Sequence, residues 1–258
     1  GKTELAENIF VRVASEAKQK AGKIAQLEEA AALRHIGSLA YLYDTKKALK
    51  NYQRSIELDP DNMDGWNQLG HLYRRIGELE QSKNAYMTIL KLAGSNQKYQ
   101  AVAYYNLGVV YQIRGELDQA VEYYQKSLIL NQKLGRKEGM AIQFANLGLV
   151  HRVQNDLDKA IEYWQKALIL FNEIGAAAQM IKVQVWLDDV SHFSVKNSIK
   201  HGEPGTIVNK FIACLNSLTL VKKSIVLLVI LAITSVTSLL YINPLSQENY
   251  ILLESREN

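Results

Sequence analysis

The chain has 258 residues, 48% of them apolar, a formal net charge of +4 and a single cysteine, Cys214. That is ample material for an extended core, while the small basic excess, interspersed with acids, excludes a strong nucleic-acid field. One cysteine excludes an intrachain disulfide framework and suits a reducing compartment, and three prolines leave little room for β-hairpins. Along the chain one phrase returns three times: Trp66-x-x-Leu69-Gly70-x-x-Tyr73, Tyr104-x-x-Leu107-Gly108-x-x-Tyr111 and Phe144-x-x-Leu147-Gly148-x-x-His151. Its glycines stand 38 and 40 residues apart, a period that marks stacked helical units. Each phrase has a sequel. Gly77-Glu78-Leu79 leads to Ser82 and Tyr86, Gly115-Glu116-Leu117 to Ala120 and Tyr124, and Asn155-Asp156-Leu157 to Ala160 and Trp164. The pattern predicts a first helix carrying a large aromatic and a small residue, a Gly or Asn turn, and a second helix with a small residue and an aromatic knob.

This pattern resembles the tetratricopeptide repeat family over roughly residues 1–190. The resemblance implies an all-α, right-handed superhelical solenoid of antiparallel helix pairs, with full units at about 63–94, 101–135 and 141–175. A weaker unit spans about 29–60: Ile36-Gly37, Ala48, Tyr52 and Ser55 fit, Pro60 follows its second helix, and the turn at Asp44-Thr45 is one residue short. Gly1, Ala6, Phe10 and Val13 fit a turn and second helix, so residues 1–15 read as a half repeat. Such a start, without an initiator Met, is what a fragment or processed product would show. Pro60-Asp61-Asn62 and Ala93-Gly94-Ser95-Asn96 read as loops between units.

Residues 176–193 are expected to form a capping helix that closes the array at 1–193. Asp188 falls where the repeats carry glycine, and a carboxylate there opposes docking of another pair. Residues 194–206, with His201-Gly202-Glu203-Pro204-Gly205, read as a linker. Ile207, Val208, Phe211, Ile212, Leu215 and Leu218 have helical apolar spacing, making 207–221 an amphipathic juxtamembrane segment. The 18 uncharged residues 225–242 would span about 27 Å as a helix, close to the ~30 Å of a bilayer core. A C-terminal transmembrane helix is therefore expected there, followed by a tail at 243–258. Lys210, Lys222 and Lys223 precede it and only Arg256 follows, which places a single-pass chain with its repeats in the cytoplasm.

Catalytic chemistry finds no constellation. Gly1-Lys2-Thr3 lacks the upstream glycines of a phosphate-binding loop, and His35, His71, His151, His192 and His201 never pair at metal-ligand spacing. His151 takes the place of Tyr73 and Tyr111 and reads as packing, and Asp188 and Asp189 are adjacent and so face different ways on a helix. No cofactor, metal, nucleic acid or small-molecule substrate is indicated.

What remains is surface. The resemblance implies that first helices line a concave groove, exposed at two and three residues before the glycine and one, four and five after it. The groove residues would be Asn67, Gln68, His71, Arg74 and Arg75, then Tyr105, Asn106 and Gln112 with Val109 and Ile113, then Asn146 and Arg152 with Ala145, Leu149 and Val153. Gln68, Asn106 and Asn146 would form an amide ladder for the backbone of an extended peptide, and the arginines would pair with carboxylates. No lysine stands in these positions, unlike the clamps that bind acidic chaperone tails. The reading is a non-enzymatic, membrane-anchored scaffold for a peptide or protein partner. The alternative is a regulatory or sensing segment of a larger enzyme whose catalytic domain precedes residue 1.

Overall fold

The structure is a computed structural model and describes residues 2–20 and 22–200. Among the described residues the secondary structure is helical, with no strand. In order come α1 (Lys2–Gln19), α2 (Lys23–Ala40), α3 (Thr45–Leu58), α4 (Met63–Arg75), α5 (Leu79–Ala93), α6 (Gln97–Ile113), α7 (Leu117–Lys133), α8 (Lys137–Val153), α9 (Leu157–Glu173) and α10 (Ala177–Lys200). One compact unit covers Gly1–Leu187 and a second begins at Asp188. Within the first, α2 packs on α3, α4 on α5, α6 on α7 and α8 on α9, and each pair packs on the next.

Local chemistry sets the helix ends. Asp44 and Asn62 side chains accept from the backbone N–H of Lys47 and Gly65, both at 2.9 Å, capping α3 and α4. Asp156 does the same for Lys159 at 3.3 Å, capping α9. At the end of α4, Gly77 takes φ +82°, its N–H donates to Arg74 O and the Glu78 N–H to Tyr73 O. That paired closure stops a helix on a left-handed residue. Gly115 and Asn155 repeat it at φ 78° and 61°. The α2–α3 turn has no left-handed residue. Instead Tyr43 and Asp44 N–H both reach Ala40 O, which suits the shorter connection.

Packing follows from a pairing of glycine with aromatic knob. Tyr52, Tyr86, Tyr124 and Trp164 are buried against Gly37, Gly70, Gly108 and Gly148. A β-carbon on these glycines would lie 2.4–2.8 Å from a ring atom, closer than any real contact. Ala48, Ser82, Ala120 and Ala160 are buried one turn earlier, and the Ser82 hydroxyl donates to Gly70 O at 2.8 Å.

Three boundaries differ from the sequence reading. The half repeat expected at 1–15 is a helix to Gln19, and α2 begins at Lys23, ahead of the boundary near 29. Helix α10 continues to Lys200, into the expected linker at 194–206, because no Gly or Pro stands before Gly202 and Pro204. The segment 207–221, the span expected at 225–242 and the tail 243–258 lie outside the described residues. Among the described residues no helix is long and apolar enough to cross a membrane.

Candidate functional site on the first helices of the pairs

The predicted groove residues sit on α4, α6 and α8, where their register is fixed by Gly70, Gly108 and Gly148. Their side chains do not form one continuous amide ladder. Gln68 Nε2 donates to Ser38 Oγ at 3.2 Å, and Asn146 Nδ2 turns back to Ile142 O at 2.9 Å. Asn106 departs furthest from expectation. It is 1% exposed, not a free groove residue, and its Nδ2 donates to Asn67 Oδ1 at 3.3 Å and Val102 O at 3.1 Å. The close approach of α4 and α6 traps it between helices, something spacing along one helix does not reveal. Gln68 Oε1 and Asn106 Oδ1 are buried acceptors without a partner among the described residues.

Gln112, Tyr105, His71, Arg74 and Arg75 are held in place by the stack itself. Tyr124 Oη donates to Gln112 Oε1 at 2.6 Å, so Gln112 seats a core tyrosine, and the Tyr105 ring lies 6.2 Å from the same Tyr124. Arg74 Nη2 meets His71 Nδ1 at 3.1 Å. Burial, reinforced by the Arg74 charge, lowers the His71 pKa to about 4, so the ring is neutral at pH 7 and accepts that bond. Arg75 donates to Tyr41 O, and its guanidinium stands 4.8 Å from the Tyr41 ring centroid. Arg152 is exposed.

Two of these residues, Gln68 and His71, border an open recess of about 440 Å³ with Ser38, Tyr41, Leu42 and Tyr52. The Ser38 hydroxyl organises its polar side: it donates to Arg34 O at 3.0 Å and lies 3.2 Å from both Gln68 Nε2 and Tyr52 Oη. Leu42, 80% exposed, supplies an apolar edge. Ser38, Tyr41 and Leu42 occupy one, four and five positions after Gly37, so the register used for the three stronger units reaches them when extended to the weaker one. The fifth position shows a pattern the polar residues obscured. Leu42, Ile113 at 55% and Val153 at 66% exposure are apolar and open, with Arg75 as their counterpart on α4.

Comparison with known proteins bears on the fold. A tetratricopeptide repeat model matches residues 63–133, and another model of the same repeat matches 141–174. Among solved structures, BtubC (BKLC) from P. vanneervenii superposes with a TM-score of 0.63 at 18% identity, covering 85% of this chain and 94% of that one. A MamA structure gives 0.48 at 24% identity, covering 57% and 81%. MamA 41-end from Desulfovibrio magneticus RS-1 gives 0.49 at 19% identity, covering 67% and 96%. No curated protein matches the chain. Repeat period, glycine–aromatic pairing and family match agree: residues 63–133 and 141–174 of this chain are tetratricopeptide repeats.

Proposed function

We propose that this protein is a non-enzymatic interaction scaffold whose first helices receive an extended peptide, and which residues 225–242 anchor in a membrane with the repeats in the cytoplasm. The observation that carries the reading is the exposed apolar side chain at one register position of three units, Leu42, Ile113 and Val153, with Leu42 bordering the same recess as the fixed polar groups Gln68 and His71. Apolar side chains left in water at one register position, just after α2 and at the ends of α6 and α8, supply anchor points for a docked peptide. A site held rigid by its own core, as Gln112 and Arg74 are, limits the ordering cost of binding. The cationic side chains Arg74, Arg75 and Arg152 favour a partner carrying carboxylates as well as apolar anchors.

Leu42→Asp with Arg74→Glu in the full chain should lower affinity for a captured partner at least tenfold, measured by calorimetry. Leu42 itself is mostly in water, so Leu42→Asp alone should leave thermal stability within ~0.5 kcal/mol. Unchanged affinity in the double variant moves the interaction to the convex face or loops. For the anchor, the full chain should pellet with membranes and resist carbonate extraction, whereas a chain ending at Lys200 should not. Release of both by carbonate would overturn the membrane reading.

A further inference from the structure

The junction between α6, α7 and α8 holds a notch of about 100 Å³ lined by Tyr105, Ser127, Asn131, Arg136, Gly139 and Gln143 among others. Its chemistry is unusual for a helix stack. Asn131 and Gln143 are 3% and 2% exposed, yet Asn131 Oδ1 and Gln143 Oε1 have no hydrogen-bond partner among the described residues. A buried acceptor left unpaired costs free energy, so two in one notch call for a donor. The Asn131 amide is oriented: its Nδ2 donates to Ser127 O at 2.9 Å and lies 3.3 Å from Ser127 Oγ, which donates to Ala101 O at 2.8 Å. Its oxygen rests where a β-carbon on residue 139 would be, 2.2 Å away, so the glycine is what leaves it room.

The same chain shows what such a place accepts. Ser55 and Asp59 stand three and seven residues after Tyr52, as Ser127 and Asn131 stand after Tyr124. There Arg34, three residues before Gly37 as Tyr105 is before Gly108, donates to Ser55 Oγ and Asp59 Oδ2, both at 3.4 Å. The chain fills that junction with its own donor. The junctions on either side of the notch are apolar instead: Ile89, Ala93 and Ala103 in one, Ala167, Phe171 and Val183 in the other, all buried at equivalent positions. The notch thus holds two acceptor oxygens that neither of its lining donors, Tyr105 and Arg136, satisfies.

We propose that this notch is a subsite for a primary carboxamide, the side chain of Gln or Asn in an extended partner; the partner part of this assignment rests on the groove reading above. Two acceptor oxygens match the two N–H bonds of one –NH2 group, and the exposed Arg136 guanidinium can donate to the amide oxygen. The charge balance selects against the alternatives. An ammonium would meet Arg136 without any carboxylate among the described lining residues, and a carboxylate would face two acceptor oxygens.

The test titrates ¹⁵N-labelled full-length chain with N-acetylglutamine methylamide and, separately, with N-acetylglutamate methylamide. The glutamine derivative should shift the Asn131 and Gln143 side-chain amide signals saturably, with affinity at least tenfold above that of the glutamate derivative. Gln143→Val, which installs the residue found at Val183, should weaken binding at least tenfold with the fold intact by circular dichroism. If that variant unfolds, Arg136→Ala on the exposed loop serves in its place and should reduce the amide-over-acid preference. Equal affinity for the two derivatives, binding indifferent to the folded variant, or acceptors that contact only a long-lived water and no probe would each overturn the proposal. The assay involves no protein partner, so its failure leaves the groove reading standing. Likewise, normal partner binding by the Leu42→Asp, Arg74→Glu variant would leave the subsite standing.

Discussion

At Gly108 a β-carbon would stand 2.6 Å from the Tyr124 ring, and that ring is wholly buried with its hydroxyl bound to Gln112. Gly108→Leu must therefore displace a core aromatic, at a cost of ~1–3 kcal/mol in urea unfolding. Asn106 belongs to the same interior. Asn106→Ala removes bonds to Asn67 and Val102, and each lost bond costs ~0.5–1.5 kcal/mol, so the melting temperature should fall. A melting temperature equal to the parent's would mean that these two bonds contribute nothing net to the fold. His71 sets a pH dependence. Its folded pKa of about 4 lies below the unfolded value near 6.5, so above that value both states are neutral and stability is flat. As pH falls toward 4, the unfolded state takes up a proton the folded state refuses. Stability should then drop by up to ~1.4 kcal/mol per pH unit, a component that His71→Leu should remove from the pH profile.

Between residues and the whole stand the helices and the turns that end them. Gly77, Gly115 and Asn155 adopt positive φ at the same step of three successive pairs. Asparagine tolerates that conformation and β-branched residues do not. Gly115→Asn should thus be nearly neutral in thermal unfolding, whereas Gly115→Val should cost roughly 1–2 kcal/mol. Across the described repeat units helix existence was legible, because glycine, aromatic and turn residues all point to the same pairs. Helix ends were less so. Nothing in residues 191–200 breaks a helix, and α10 runs to Lys200.

For the repeat unit Gly1–Leu187 taken whole, each pair buries its faces only against its neighbours, so the last needs a cover. The first half of α10 provides one: Val183 and Leu187 are buried, and the Trp186 ring lies 5.6 Å from that of Trp164. A chain ending at Gly175 should melt at lower temperature than one ending at Lys200 and show red-shifted tryptophan emission as Trp164 gains water. Equal melting temperatures would mean that α9 needs no cover. The repeat class, the period and the glycine–aromatic pairs were determined by the sequence alone, because they depend on residue size at fixed separations along the chain. Which polar groups remain free to act was decided by tertiary structure. Asn67 and Asn106 lie 39 residues apart yet share a hydrogen bond, while Asn131 and Gln143, on different helices, meet at one notch with their oxygens unpaired. Whether an amide is satisfied depends on what the next helix brings within about 3 Å, and no spacing within one helix encodes that.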